Sequence, residues 1–230
     1  MIRIRKKYLI FLFFLFFFCI TGFSYKRIKI NSNYKEYIKN INTIIQYQNL
    51  YKNDDIIATI SINDLNLKEI VAQTMDNSFY LNHNLKKEKD ILGSTFLDYR
   101  NNLNDNKILI YGHNSQTFRT EFQKLEKYLE KEFYQKNNNE IILETIDRKI
   151  TWKIFSVIIV TDDYQHMKLD FTEKNWNNHL KWLKDNSLYD TKIDIDEKDE
   201  ILILQTCYYH PMDSFIIVSA KKIKEDLYEF

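Results

Sequence analysis

The 230-residue chain predicts a mostly β fold: a closed barrel of eight strands with an N-terminal helix and additional helices, one of them just before the strand that carries Cys207. Three observations point there. Eight short segments rich in β-branched and aromatic residues are separated by polar turns, and eight such strands suit a closed barrel. Helical periodicity is confined to a few stretches between them. Only three Gly and one Pro occur in the chain, so its turns rest on Asn and Asp, with no low-complexity linker and no internal repeat.

The elements follow in order. From Ser32 to Tyr51 the chain is polar and Asn-rich, with Tyr34, Ile38, Ile41, Ile45 and Leu50 at broadly helical spacing. It reads equally as a helix leading into the domain or as a spacer. The strands are Ile56–Ile62, Glu69–Gln73, Ser94–Leu97, Lys107–Tyr111, Glu140–Thr145, Lys149–Thr161, Ile201–Thr206 and Phe215–Ala220. Between the fourth and fifth, Phe118, Phe122, Leu125, Leu129 and Phe133 recur every three or four residues, the apolar stripe of a helix packed on a core. Thr172 is placed to cap another helix, in which Trp176, Leu180 and Leu183 repeat at the same interval.

Ahead of all this, residues 8–25 carry no charge, while Arg3, Arg5, Lys6 and Lys7 precede them and Lys26, Arg27 and Lys29 follow. As a helix these eighteen residues span about 27 Å, close to a bilayer core. No small-x-small cleavage site follows, which favours an uncleaved signal anchor over a removed signal peptide. The short basic start favours an inside N-terminus. The expectation is a single-pass protein of the cell membrane with an extracellular domain, in contact with membrane lipid through its N-terminal helix. The division is residues 1–30 for a cytoplasmic basic tail and anchor, 31–55 for a helical membrane-proximal segment, and 56–230 for one globular domain.

Composition narrows the partners. The net charge is +1, and without the four leading basic residues it is −3 for residues 8–230, so nothing suggests nucleic acid. The two cysteines are Cys19, inside the apolar segment, and Cys207, so no disulfide within the domain is available and packing must supply stability.

Cys207 ends the strand-like run from Ile201, where a lone thiol reads as a nucleophile. An ordinary thiol, with a pKa of about 8.5, is mostly protonated at neutral pH and needs a base, a cation or a polar cradle nearby. Histidine is the usual partner. Among His83, His113, His166, His179 and His210, His113 stands out because it follows the strand ending at Tyr111 and then Gly112, where a side chain leaves the barrel wall and faces the rim. The alternative for His113 is a structural strand-end residue. Cys207 and His210 have a spacing that metal ligands also use, but no second pair completes a closed site, so no metal and no cofactor is expected. The acidic run from Asp194 to Glu200 lacks the glycine turn and ligand spacing of a calcium loop and reads as solvated.

Four segments, Gln73–His83, Gly93–Arg100, Tyr111-Gly-His-Asn114 and Leu204-Gln-Thr-Cys207, resemble class B sortases in order and spacing, over about residues 56–223. The resemblance implies a membrane-anchored cysteine transpeptidase with a sortase-like β-barrel. Cys207 matches the family nucleophile and His113 its catalytic histidine. The thiolate would attack the carbonyl after Thr in the C-terminal sorting motif of a surface protein. A peptidoglycan precursor or other cell-wall amine would then take the acyl group. Gln205 and Thr206, beside the nucleophile, are candidates for shaping the groove.

One position departs from the family. An arginine that donates hydrogen bonds to the substrate carbonyl or oxyanion lies eight residues after the family cysteine, and here Phe215 stands there. Ser214, His210 and backbone N–H groups are the candidates to replace it. The sequence therefore supports two function classes, an active transpeptidase and a catalytically impaired binder of sorting-signal peptides, with an unrelated cysteine peptidase behind both.

Overall fold

The structure, a computed structural model, describes residues 43–161, 164–169 and 171–228, with scattered helical positions between 18 and 39. Residues 43–51 form α1. Its Ile44 is buried while Ile38, Ile45 and Leu50 are exposed, so the apolar contact lies one position off the expected stripe. Tyr34 and Ile41 lie outside the described residues. Asn53, just after α1, ties it down by donating from Nδ2 to the Tyr80 hydroxyl (2.7 Å) and the Leu85 carbonyl (2.8 Å).

The eight strands are β1 (Ile56–Ile62), β2 (Leu67–Ala72), β3 (Phe96–Leu97), β4 (Lys107–Tyr111), β5 (Glu140–Glu144), β6 (Arg148–Val160), β7 (Ile201–Tyr208) and β8 (Ser214–Leu227). They close into a barrel in the order β1-β2-β3-β4-β7-β8-β6-β5. The sheet is mixed: β2 with β3 and β4 with β7 are parallel, the other pairs antiparallel. β7 runs past Thr206 and contains Cys207, because the β7–β8 hairpin pairs Cys207 with Phe215 and Tyr208 with Ser214.

Alternation along the strands builds two cores. One draws residues from all eight strands, among them Ile60, Ile108, Ile110, Leu202, Leu204, Ile216 and Val218, and fills the lumen. The other lies on the outer face of β4, β7 and β8, where Leu109, Tyr111, Ile201, Ile203 and Ile217 meet Trp176, Leu180 and Leu183 of α3 (Glu173–Asp185). Thr172 caps α3 as expected, its Oγ1 accepting from the Asn175 N–H at 3.4 Å. The segment expected as one helix from Phe118 to Phe133 is instead a 3-10 helix, Phe122–Leu129, followed by α2 (Lys131–Lys136). Phe122, Leu125 and Tyr128 are buried, three residues apart, which is the period of a 3-10 turn, and Phe118 is exposed.

The expected membrane anchor is corrected. Residues 8–17 lie outside the described residues, and among those described no helix is long and apolar enough to cross a membrane. A span needs about 20 apolar residues, whereas the described helical stretch 24–29 contains Lys26, Arg27 and Lys29. The single-pass extracellular localisation, the transmembrane helix and the contact with membrane lipid are withdrawn.

Candidate active site

β4 and β7 run side by side in a constant register, Lys107 opposite Ile201 through Tyr111 opposite Gln205, an offset of 94 residues. The Gly112 N–H donates to the Gln205 carbonyl at 3.0 Å and carries that register past the end of β4. Extended by two residues, it sets His113 against Cys207. On β7 the even positions Leu202 and Leu204 enter the lumen, and Ile201 and Ile203 face outward. Cys207 shares the outward parity, and so does His113 with Leu109 and Tyr111. Both line one cavity on the outer face of the barrel, with Tyr80, Leu92, Ser94, Phe96, Gln205 and Phe215. The pair thus sits on the outside of the sheet rather than at the rim of the lumen.

Local packing holds this corner. A Cβ on Gly112 would lie 2.1 Å from the ring of buried Phe122, so only glycine lets the chain turn there toward His113. Asn114 is fully buried. Its Nδ2 donates to the Cys207 carbonyl at 2.9 Å and to Glu126 Oε1 at 2.7 Å, and its own carbonyl accepts from the Tyr209 hydroxyl at 2.8 Å. These bonds bind the segment after β4 to the end of β7. Behind Tyr111 lies Asp98, whose carboxyl is held down at about 2: burial opposes ionisation, but hydrogen bonds from Arg100, Tyr111 and Asn77 outweigh it.

Both candidate reactive groups are half-buried, and burial moves them apart. It pushes the Cys207 thiol above its ordinary range, against the opposing effect of its own backbone N–H, and pushes His113 below the ordinary imidazole range, against the attraction of Asp90. At neutral pH the prevailing form is therefore a thiol beside a neutral imidazole. The imidazole is free to accept a proton when the thiol is deprotonated by attack.

The other sequence candidates occupy different places. Gln205 lines the cavity, and its Oε1 accepts from Nε2 of buried His166 at 2.9 Å. Thr206 also lines the cavity; it is buried with lumen parity, and its Oγ1 has no hydrogen-bond partner among the described residues. The Ser214 hydroxyl faces the Pro211 and Tyr208 carbonyls at 2.6 and 3.1 Å inside the hairpin, which commits its only proton. His210 is exposed in the turn between β7 and β8 and does not line the cavity. Phe215 lines the cavity beside Cys207, its partner across the β7–β8 ladder, with its ring 6.2 Å from that of Tyr164. A ring there offers no donor to an oxyanion.

Three residues, two by this region and one at the far end of β4, were not singled out by sequence. Asn114 was visible only as part of a motif. Lys107 and Glu69 look like ordinary strand positions, and their surroundings come from distant loops. Lys107 lines a larger cavity, of 660 Å³, at the opposite end of β4, with Arg100, Phe171 and Trp176.

A family model described as the sortase domain matches residues 60–223. Sortase B of Listeria monocytogenes is 33% identical over 158 residues, covering 67% of this chain and 63% of the relative, so the chain spans under two thirds of that protein's length. Sortase B of Staphylococcus aureus is 34% identical over 188 residues, covering 78% of this chain and 75% of the relative. An X-ray structure of a C232S mutant form of Clostridium perfringens sortase B superposes with a TM-score of 0.76 at 30% identity, covering 85% of this chain and 96% of that one.

Proposed function

The chain belongs to the sortase family of cysteine transpeptidases, and from that premise we propose that residues 56–230 form a catalytic domain that cleaves a sorting motif and transfers the acyl group to an amine. The supporting observation is the shared outward parity of His113 and Cys207 at the ends of two adjacent parallel strands. In this reading the Cys207 sulfur attacks the carbonyl carbon of the scissile amide as its proton passes to His113. The imidazolium returns that proton to the leaving amine as the C–N bond breaks, leaving a thioacyl enzyme. An acceptor amine then attacks the thioacyl carbon, His113 takes the amine proton, the C–S bond breaks, and the proton goes back to sulfur. One difficult exchange becomes two easier acyl transfers. The proposed substrates are surface proteins bearing a C-terminal sorting motif, with a peptidoglycan precursor or another amine as acceptor.

Phe215 favours a second reading, a peptide binder with impaired turnover. Loss of one oxyanion donor costs about 10² to 10³ in rate. Mass spectrometry of the protein after incubation with a Thr-containing sorting-motif peptide separates the two. The transpeptidase gives a Cys207 acyl adduct that an added amine discharges as a new amide. Peptide binding with no adduct and no cleavage belongs to the binder.

A further inference from the structure

His113 has a second side. The cavity it shares with Cys207 adjoins another, of 230 Å³, through Leu92, Ser94 and His113 itself. That second cavity is lined by Glu69, Thr95, Arg119, Thr120 and Glu121. It adjoins in turn a third, of 300 Å³, through Glu69, Gly93 and Ser94, where Tyr51, Lys86 and Glu88 complete the wall. The three make a trough along residues 92–94 that ends at the imidazole. Its floor is backbone: Gly93 has φ +58°, and a Cβ there would lie 2.2 Å from the Tyr80 carbonyl oxygen, so no side chain can stand at this point.

Glu69 is the unusual group in the trough. It lies on β2, partly buried, and no basic side chain forms an ion pair with it among the described residues, whereas Glu121 is paired with Lys124 at 2.6 Å. Burial, with Glu121 adding to it, outweighs the hydrogen bonds from Thr95 and the Ile70 backbone and the attraction of Lys124, and pushes the Glu69 carboxyl up to about 7. A carboxylate held at such a cost is stabilised by any cation that enters. Thr120 Oγ1, in the same wall, is shielded from solvent and has no hydrogen-bond partner among the described residues. Arg119, also lining the cavity, is exposed.

We propose that this trough is the acceptor subsite: a primary ammonium enters along Glu88 and Gly93, is held by the Glu69 carboxylate with Glu121 beside it, and is delivered past His113 into the cavity that holds the thioacyl group on Cys207. The inference rests on the transpeptidase reading and adds to it the route and the anchoring residue of the amine. At the end of the route the ammonium gives one proton to the Glu69 carboxylate and becomes the neutral amine; its nitrogen then bonds to the thioacyl carbon as a second proton passes to His113, the C–S bond breaks and that second proton goes to sulfur.

The test uses 1,5-diaminopentane, which carries ammonium groups at pH 8, and hydroxylamine, which is neutral there. Glu69→Gln should raise the KM of the diamine about tenfold relative to that of hydroxylamine, since a charge-assisted contact is worth about that factor. Equal effects on the two acceptors overturn the proposal. Amide NMR of the protein titrated with the diamine gives an independent readout that needs no turnover. Shifts at Gly93, Ser94, Thr95 and Thr120 that weaken in Glu69→Gln support the subsite; absence of those shifts, or the same shifts in the variant, refutes it. If the wild-type protein forms no acyl adduct on Cys207, the catalytic reading fails and the titration alone decides the subsite.

Discussion

The two ends of β4 handle polar groups in opposite ways. At its start, Lys107 is buried, and its Nζ reaches the His166 carbonyl at 2.7 Å, the Lys168 carbonyl at 2.5 Å and His179 Nε2 at 3.0 Å. Burial pushes Lys107 well below the ordinary lysine range, and also pushes His179 down to about 3, which keeps that ring neutral as an acceptor. With three partners on its nitrogen, the amine is a pin that fastens the segment between β6 and α3 to the barrel. At the other end of β4, His113 and Cys207 are half-buried, both moved toward their neutral forms, and free of an ion pair with each other. The larger cavity is at the locked end and the smaller at the open end. Cavity size is thus a poor guide here, and the presence of a nucleophile with a base at its side is a better one.

This contrast can be broken most severely at the open end. Cys207→Ala should abolish acyl transfer, and His113→Ala should lower it by about 10² to 10⁴, the usual worth of a positioned acid and base, with little change in thermal stability. Retained turnover in either variant, measured by amide product formation, contradicts the assigned roles. Next in size is Phe215→Arg. The ring lies beside half-exposed Tyr164, so a guanidinium has room to reach the groove. The expected result is a rise of tenfold or more in the rate of acyl-adduct formation, toward the value of a full oxyanion donor; a fall would show that the groove depends on the aromatic ring.

The smaller effects belong to the locked end. Lys107→Met should destabilise the fold by about 1–3 kcal/mol, because the His166 and Lys168 carbonyls lose their buried donor. Alkylation of Cys207 by iodoacetamide at pH 8 should stay at the wild-type rate. Chemical denaturation and alkylation kinetics read the two separately, and a stability equal to wild type would show that the lysine is not a pin.

How much of this was legible beforehand depends on distance along the chain. The eight strands were readable because β-branched runs are local signals, and β1 and β4 have the bounds that their residues suggest. Cys207 and His113 stood out through their place at strand ends, and Phe215 through its place in the resemblance. The 3-10 helix was mistaken for an α-helix because stripes of period 3 and 3.6 differ little over three turns. The apolar stripe of the N-terminal helix was set one residue off, since only the barrel decides that Ile44 is the residue to bury. Glu69 was invisible: its neighbours at residues 92–95 and 119–121 arrive from two other loops, and no spacing in the sequence connects them.

The central claim is that Cys207 and His113 work as one unit from a mainly neutral resting form. The pH dependence of kcat/KM for peptide cleavage tests it most directly. The account predicts a bell whose acid limb lies below about 6.5 and whose alkaline limb lies above about 8.5, the ordinary imidazole and thiol values, with the acid limb absent from the residual activity of His113→Ala. A single limb at the ordinary thiol value, unaltered in His113→Ala, would contradict it.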